Sequence, residues 1–198
     1  VYWEGLAQCY HDGLVSNIGV CNYGPTMIQR AHEELTIKRG VPIVSNQINF
    51  NLMRFRSSIT TKVVCDDLGI QVVGYHPLCN GVLTGKYDLE RGGSSLESIS
   101  KYSRHRIRYF LKGTTELRAT MERVAERRGW SCAQVAIAWV MNQGVIPIVG
   151  AKNVGQVEEN WGIVNNSEDA WRLEEEDVKL LDDASNLSVE YYKGFDLV

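Results

Sequence analysis

Apolar and polar positions along this chain follow two alternating periods, and the switches between them mark its elements. Trp3, Leu6, Ala7 and Tyr10 recur at helical spacing and stop at Gly13, which predicts an opening helix. Residues 15–20 read as a strand ending at Cys21 and Asn22. Pro25 stands where a first helical residue is often found, so a second helix runs to about Arg39, where Gly40 closes it and Pro42 bars its continuation. Residues 43–50 form a second strand whose polar members are Ser45, Asn46, Gln47 and Asn49. A helix over about 57–68 stops at Gly69 and hands over to a third strand through Ile70, Val72, Val73 and Tyr75.

From residue 77 to about 113 no period is convincing, and the stretch is rich in Gly, Ser and charge. A loop of that length inside a compact domain is usually a lid or a binding loop. Order returns with Leu117, Met121, Val124 and Ala125 on one helical face, stopped by Gly129. Ser131 and Gln134 then make a capping box for a helix carrying Val135, Ala136, Trp139 and Val140. After Gly144 the short β-branched run 145–149 reads as a strand buried on both faces. Gly150 ends it, and Asn153 and Gln156 have the spacing of an N-cap and its reciprocal partner. Strand, glycine turn and helix N-terminus, with Lys152 beside them, make a natural seat for a phosphate. An ordinary βα junction with a solvated lysine fits the same residues equally well. Beyond Asn160 come Gly162, a polar linker at 165–169, a last helix near 174–184, and a tail with Tyr191, Tyr192 and Phe195.

Alternating strands and helices, with the strands as continuous apolar runs, specify a parallel sheet covered by helices. An open doubly wound sheet and a (β/α)8 barrel both satisfy that pattern. No GxGxxG follows any strand, which weighs against a dinucleotide-binding Rossmann unit. Each strand ends instead in polar residues: Cys21 and Asn22, Gln47 and Asn49, Tyr75 and His76, Lys152 and Asn153. In a parallel sheet these ends share one side, as in the active sites of barrels, so the barrel is the better reading.

The length of 198 residues suits one domain, and 44% hydrophobic residues suffice for a sizeable core. A net charge of -3 argues against nucleic acid as a main partner, and the basic run Arg104, His105, Arg106, Arg108 reads as a solvated loop. Five scattered cysteines without CxxC spacing suggest a reducing compartment, no metal site, and thiols serving mostly as small core side chains. No apolar run approaches the roughly 18 residues a membrane span needs. The chain begins at Val1 directly in an amphipathic helix, as if cut from something longer.

Four ordered motifs carry a resemblance: GLVSNIGVCNY from Gly13, VPIVSNQINFNL from Val41, GIQVVGYHPLCNGVLTGKY from Gly69, and VIPIVGAKNVGQVEEN from Val145. Together the chain resembles the C-terminal half of an aldo-keto reductase, nearest in look to plant and cyanobacterial long-chain members. The resemblance implies a TIM (β/α)8 barrel of which about four βα units and a C-terminal helix are present. It also implies the use of NADPH to reduce aldehydes or ketones. Asn22 and Gln47 would hydrogen-bond the nicotinamide carboxamide, and Tyr75 would stack on its ring. Leu78, Gly81, Leu83 and Lys86 would line the pyrophosphate, and Arg104 or Arg106 would meet the extra phosphate of NADPH. Gly150, Lys152, Gln156, Glu159 and Asn160 would hold the adenosine end.

Cys21 and His76 stand where the family has serines, which alters the nicotinamide pocket. The family's Asp, Tyr, Lys and His tetrad belongs to the first half of the barrel and has no match here; Tyr23, His32 and Lys38 read as exposed helix or loop residues rather than substitutes. The chain is therefore expected to carry a cofactor half-site and to be inactive alone. Its open barrel edges call for a partner chain. The alternative is a non-catalytic structural or nucleotide-sensing subunit. A soluble protein of the cytoplasm or plastid stroma is implied.

Overall fold

The computed structural model of the chain describes residues 2–87, 101–164 and 169–191, and at 101–103, 106 and 189–191 it describes the backbone alone. Helix α1 (Tyr2–His11) leads into strand β1 (Ile18–Cys21), and α2 (Pro25–Ala31) continues as a π-helix over His32–Ile37. Strand β2 (Ile43–Asn49), a 3-10 turn (Leu52–Arg54) and α3 (Phe55–Asp67) follow, then β3 (Gln71–Tyr75) and a second 3-10 segment (Cys79–Thr84). Helices α4 (Lys101–Gly113), α5 (Thr115–Arg128) and α6 (Cys132–Asn142) precede β4 (Ile146–Ile148), α7 (Val154–Trp161) and α8 (Glu175–Tyr191).

The four strands pair in parallel in chain order, β1-β2-β3-β4. Alternate residues point to opposite faces of such a sheet. Ile18 and Val20, Asn46 and Ile48, Val72 and Gly74 are buried, whereas Gly19 and Cys21, Ser45, Gln47 and Asn49, Val73 and Tyr75 are half-buried or exposed. Among the described residues the helices therefore cover one face only. A doubly wound sheet carries helices on both faces and reverses strand order at a switch point. One-sided covering with sequential order is the arrangement of a (β/α)8 barrel, of which four strand–helix units are present, and the open face corresponds to the barrel interior.

The core lies between the sheet and its helices. Trp139 of α6 is fully buried, stacks on Phe50 at 5.6 Å and meets Phe55 edge-on at 5.3 Å. Gly74 is small for a packing reason, since a Cβ there would stand 2.9 Å from Val145 Cγ1 and 3.1 Å from Phe50 Cβ. Helix α8 is tied to this core by polar groups. Buried Asp177 accepts from Arg128 Nε at 2.9 Å and pairs with Arg127, Ser185 donates to the Leu52 carbonyl, and Trp139 Nε1 donates to Asp182 Oδ1 at 2.7 Å.

Burial pushes the Asp182 carboxyl above the usual 3.8, against the opposing pull of the Trp139 N–H and with a small push from Asp183. The folded protein thus holds this proton to higher pH than the unfolded chain. Its stabilising contribution is complete below the unfolded pKa and is lost as pH rises through the folded one. Asp182→Asn keeps the acceptor and removes the titration. Urea unfolding should therefore show the variant gaining on the parent as pH rises from about 3 to 7; a pH-independent difference would contradict this.

Several sequence expectations need correction. The stretch 77–113 is not one loop: it contains the Cys79–Thr84 segment and α4, while 88–100 fall outside the described residues. Ile107, Phe110 and Leu111 form the buried stripe of α4, and the basic run lies on this helix rather than in a solvated loop. Strand β1 begins at Ile18, with Leu14 and Val15 exposed ahead of it. Strand β4 has three residues rather than five and is not buried on both faces, Ile146 being 53% and Ile148 45% exposed. Among the described residues it is the sheet edge, and its open face carries no covering layer. Trp161 is 62% exposed on α7 beside that edge. The last helix continues to Tyr191; linker residues 165–168 and the tail from Tyr192, including Phe195, lie outside the described residues. All five cysteines are free, with Cys65 and Cys79 buried but Cys21 exposed. Tyr23 is not surface either, for it packs partly buried against the core and accepts from Trp3 Nε1 at 3.1 Å.

Candidate functional site

Because the strands are parallel, their C-terminal ends deliver Asn22, Gln47, Tyr75 and the turn after β4 to one side of the sheet. At the β1 end Asn22 adopts a left-handed conformation, φ 58°, and its N–H donates to the Gln47 carbonyl at 2.8 Å. Its side chain turns toward β3, where Tyr75 Oη donates to Asn22 Oδ1 at 3.0 Å. Cys21 Sγ lies 3.8 Å from Gln47 Oε1 on the same open face. Three of the expected residues, Asn22, Gln47 and Tyr75, thus meet across three strands.

His76 follows Tyr75 with φ 56°, exposed, its ring edge-on to the tyrosine at 5.1 Å. The segment beyond it is kinked at Asn80 (φ 55°) and Gly81 (φ 86°). Leu78 is half-buried, and Leu83 is 1% exposed and belongs to the core. Lys86 is exposed, with Nζ 5.3 Å from the Tyr87 ring. Arg104 is half-buried on α4, and the Arg106 side chain lies outside the described residues.

At the far edge Gly150 and Lys152 are exposed ahead of α7. Asn153 caps that helix by accepting from Gln156 N at 3.0 Å. Gln156 Oε1 reaches back to Lys152 N at 2.7 Å, one residue earlier than a capping box would place it. The first-turn N–H groups of Val154 and Gly155 stay outside the helix ladder, at the positive end of the dipole. Glu159 is exposed and Asn160 half-buried; the Glu159 carbonyl accepts from Gln134 Nε2 at 2.8 Å, which docks α7 on α6.

Two buried amides escaped the reading of the sequence as site components: Asn46 and Asn51, both 0% exposed. A signal for Asn46 exists, since alternation puts it on the apolar face with Ile48 and Phe50, where an amide demands a partner. Asn51, beyond the strand, carries no comparable mark. Among the described residues no group of His, Cys, Asp and Glu could hold a metal, and no helix is long and apolar enough to cross a membrane.

A parallel sheet covered on one face, with amide and aromatic side chains gathered at the strand ends, is the architecture of an α/β barrel, a fold whose sites lie at the C-terminal face. Comparison with known proteins narrows this further: the chain belongs to the aldo/keto reductase family, whose model matches residues 2–186. It is 37% identical over 174 residues to a chloroplastic pyridoxal reductase of Arabidopsis thaliana, covering 87% of this chain and 44% of that protein. It is 29% identical over 201 residues to a probable aldo-keto reductase of Glycine max, covering 96% and 53%. A glycerol dehydrogenase structure from Gluconobacter oxydans superposes with a TM-score of 0.69 at 24% identity, over 98% of this chain and 55% of that one. The chain spans about half the length of the curated relatives it matches.

Proposed function

We propose that this chain supplies the cofactor-binding half of an NADPH-dependent oxidoreductase that reduces aldehydes or ketones. The observation that carries the reading is the meeting of Asn22, Gln47 and Tyr75, fixed by the 3.0 Å bond from Tyr75 Oη to Asn22 Oδ1. With Oδ1 so engaged, Asn22 offers its NH2 group as a donor, while the Gln47 side-chain oxygen Oε1, approached by Cys21 Sγ only at 3.8 Å, offers an acceptor. That pair matches the two needs of a carboxamide. Tyr75 presents a flat ring on the open face, and the α7 N-terminus with Lys152 suits a phosphate. The donor set therefore fits a nicotinamide dinucleotide, which when bound would supply the hydride. Leu78, Gly81 and Lys86 would border its pyrophosphate and Arg104 its extra phosphate; Gly150, Gln156, Glu159 and Asn160 would flank the adenosine.

No residue of this chain matches the family's proton donor, so the chain alone should leave a carbonyl unreduced. The name of the Arabidopsis relative makes pyridoxal the first aldehyde to try, and its chloroplastic label favours the plastid stroma over the cytoplasm. A partner segment is needed along the open sheet edges. A non-catalytic nucleotide-sensing subunit would share the cofactor half and differ only in lacking a proton donor anywhere. Mixing the chain with NADPH and pyridoxal should give no NADPH oxidation. The longer product encoded with upstream sequence should oxidise it, provided a Tyr and a Lys stand at its barrel-strand ends. An upstream sequence without them would overturn the enzyme reading and favour the subunit.

A further inference from the structure

We infer that Asn46 and Asn51 are positioning residues that hold the nicotinamide-facing ends of β1 and β3 in their working conformations; this rests on the cofactor reading above. Both amides are 0% exposed. The two segments they grip are the ones that carry the site, and each contains a non-glycine residue with positive φ, Asn22 at 58° and His76 at 56°. A left-handed conformation is uncommon for a non-glycine residue, although Asn and His adopt it more readily than most. It persists only where the surroundings dictate it.

Asn46 does this for β1. Its Nδ2 donates to the Tyr23 carbonyl at 2.8 Å and to Cys65 Sγ at 3.6 Å, while its Oδ1 accepts from Tyr23 N at 3.4 Å. One side chain thus grips both backbone groups of the residue after Asn22. The Asn22 N–H is meanwhile held by the Gln47 carbonyl, next to Asn46 on the same strand. Asn22 is fixed from both sides by β2, and its side chain is left aimed at Tyr75.

Asn51 does the corresponding work for β3. Its Nδ2 donates to the His76 carbonyl at 3.0 Å and to Asn49 Oδ1 at 2.8 Å, and its Oδ1 accepts from Met53 N at 3.0 Å. The Phe50 N–H adds a bond to the Tyr75 carbonyl at 3.2 Å. β2 and the turn that follows it therefore act as a template on which the neighbouring ends of β1 and β3 are set, although neither asparagine lies on the open face. Removing the Asn46 amide takes the partner from both backbone groups of Tyr23, and removing the Asn51 amide leaves the buried Met53 N–H without its acceptor and the His76 carbonyl with Cys79 N alone.

The test compares two probes on the 198-residue chain: NADPH, which reaches the whole site, and adenosine 2′,5′-bisphosphate, which reaches only the adenosine end. In Asn46→Ala the NADPH affinity should fall about ten-fold while the bisphosphate affinity stays within about two-fold, and Asn51→Ala should do the same. Equal losses for both probes would mark a general structural role, and no loss would mark no role; either overturns the inference. Hydrogen exchange in the parent decides it without a variant or a ligand. The amides of Asn22 and Tyr23 should exchange as slowly as the β2 ladder, and exchange at open-loop rates would contradict the clamp. A parent that binds neither probe would refute the cofactor reading, leaving the exchange result to judge the clamp by itself.

Discussion

Trp139→Ala should lower the free energy of unfolding by about 3–5 kcal/mol, the range for deleting a large buried aromatic. The ring is fully buried between Phe50 and Phe55, so its removal opens a cavity at the joint of β2, α3 and α6. It also strips Asp182 of its 2.7 Å donor in a setting where burial already disfavours the carboxylate. Trp139→Phe restores part of the volume but not the N–H, and should cost less than half as much. Urea unfolding monitored by circular dichroism measures both. A loss under about 1 kcal/mol for the alanine variant would mean that the site collapses around the vacancy and that α8 is not anchored through this residue.

Tyr75→Ala should weaken NADPH binding by about ten- to a hundred-fold, because it removes both the aromatic face and the hydrogen bond that orients Asn22. Tyr75→Phe keeps the face and loses only the bond, so a drop of about two- to ten-fold is expected. The order matters more than the sizes. If the phenylalanine variant loses as much as alanine, orientation of Asn22 outweighs stacking. If alanine loses nothing, Tyr75 is a strand-end aromatic without a cofactor role. Isothermal titration of the three proteins decides between these outcomes.

Much of this arrangement was legible because it is local. Glycine stops and caps are written within a few residues: Ser131 and Gln134 form the reciprocal box that their spacing predicts, at 3.2 and 2.9 Å. The convergence of polar strand ends also followed from topology alone, since parallel strands must share a carboxyl side. Three features were hidden for identifiable reasons. Helix α4 went unseen because the basic residues on its outer side masked a stripe of only Ile107, Phe110 and Leu111. The length of β4 was overestimated because an apolar run does not reveal whether a neighbouring strand exists to keep it paired. The clamps at Asn46 and Asn51 depend on partners 23 and 25 residues away, in segments with no sequence period linking them. The family was marked by motif order, whereas the hydrogen bond joining Tyr75 to Asn22 spans 53 residues and emerges only from the folded sheet.

On the proposed reading, the strand ends of β1, β2 and β3, together with the α7 N-terminus, form one face for a nicotinamide dinucleotide. Titrating the isotope-labelled chain with NADPH and following its amide resonances tests it most directly. The account predicts saturable shifts at the side-chain amides of Asn22 and Gln47, at the backbone of Tyr75 and His76, and in the first turn of α7 from Asn153 to Gln156. Shifts confined to any other surface, or none at NADPH concentrations in the millimolar range where weak half-site binding would register, would contradict it.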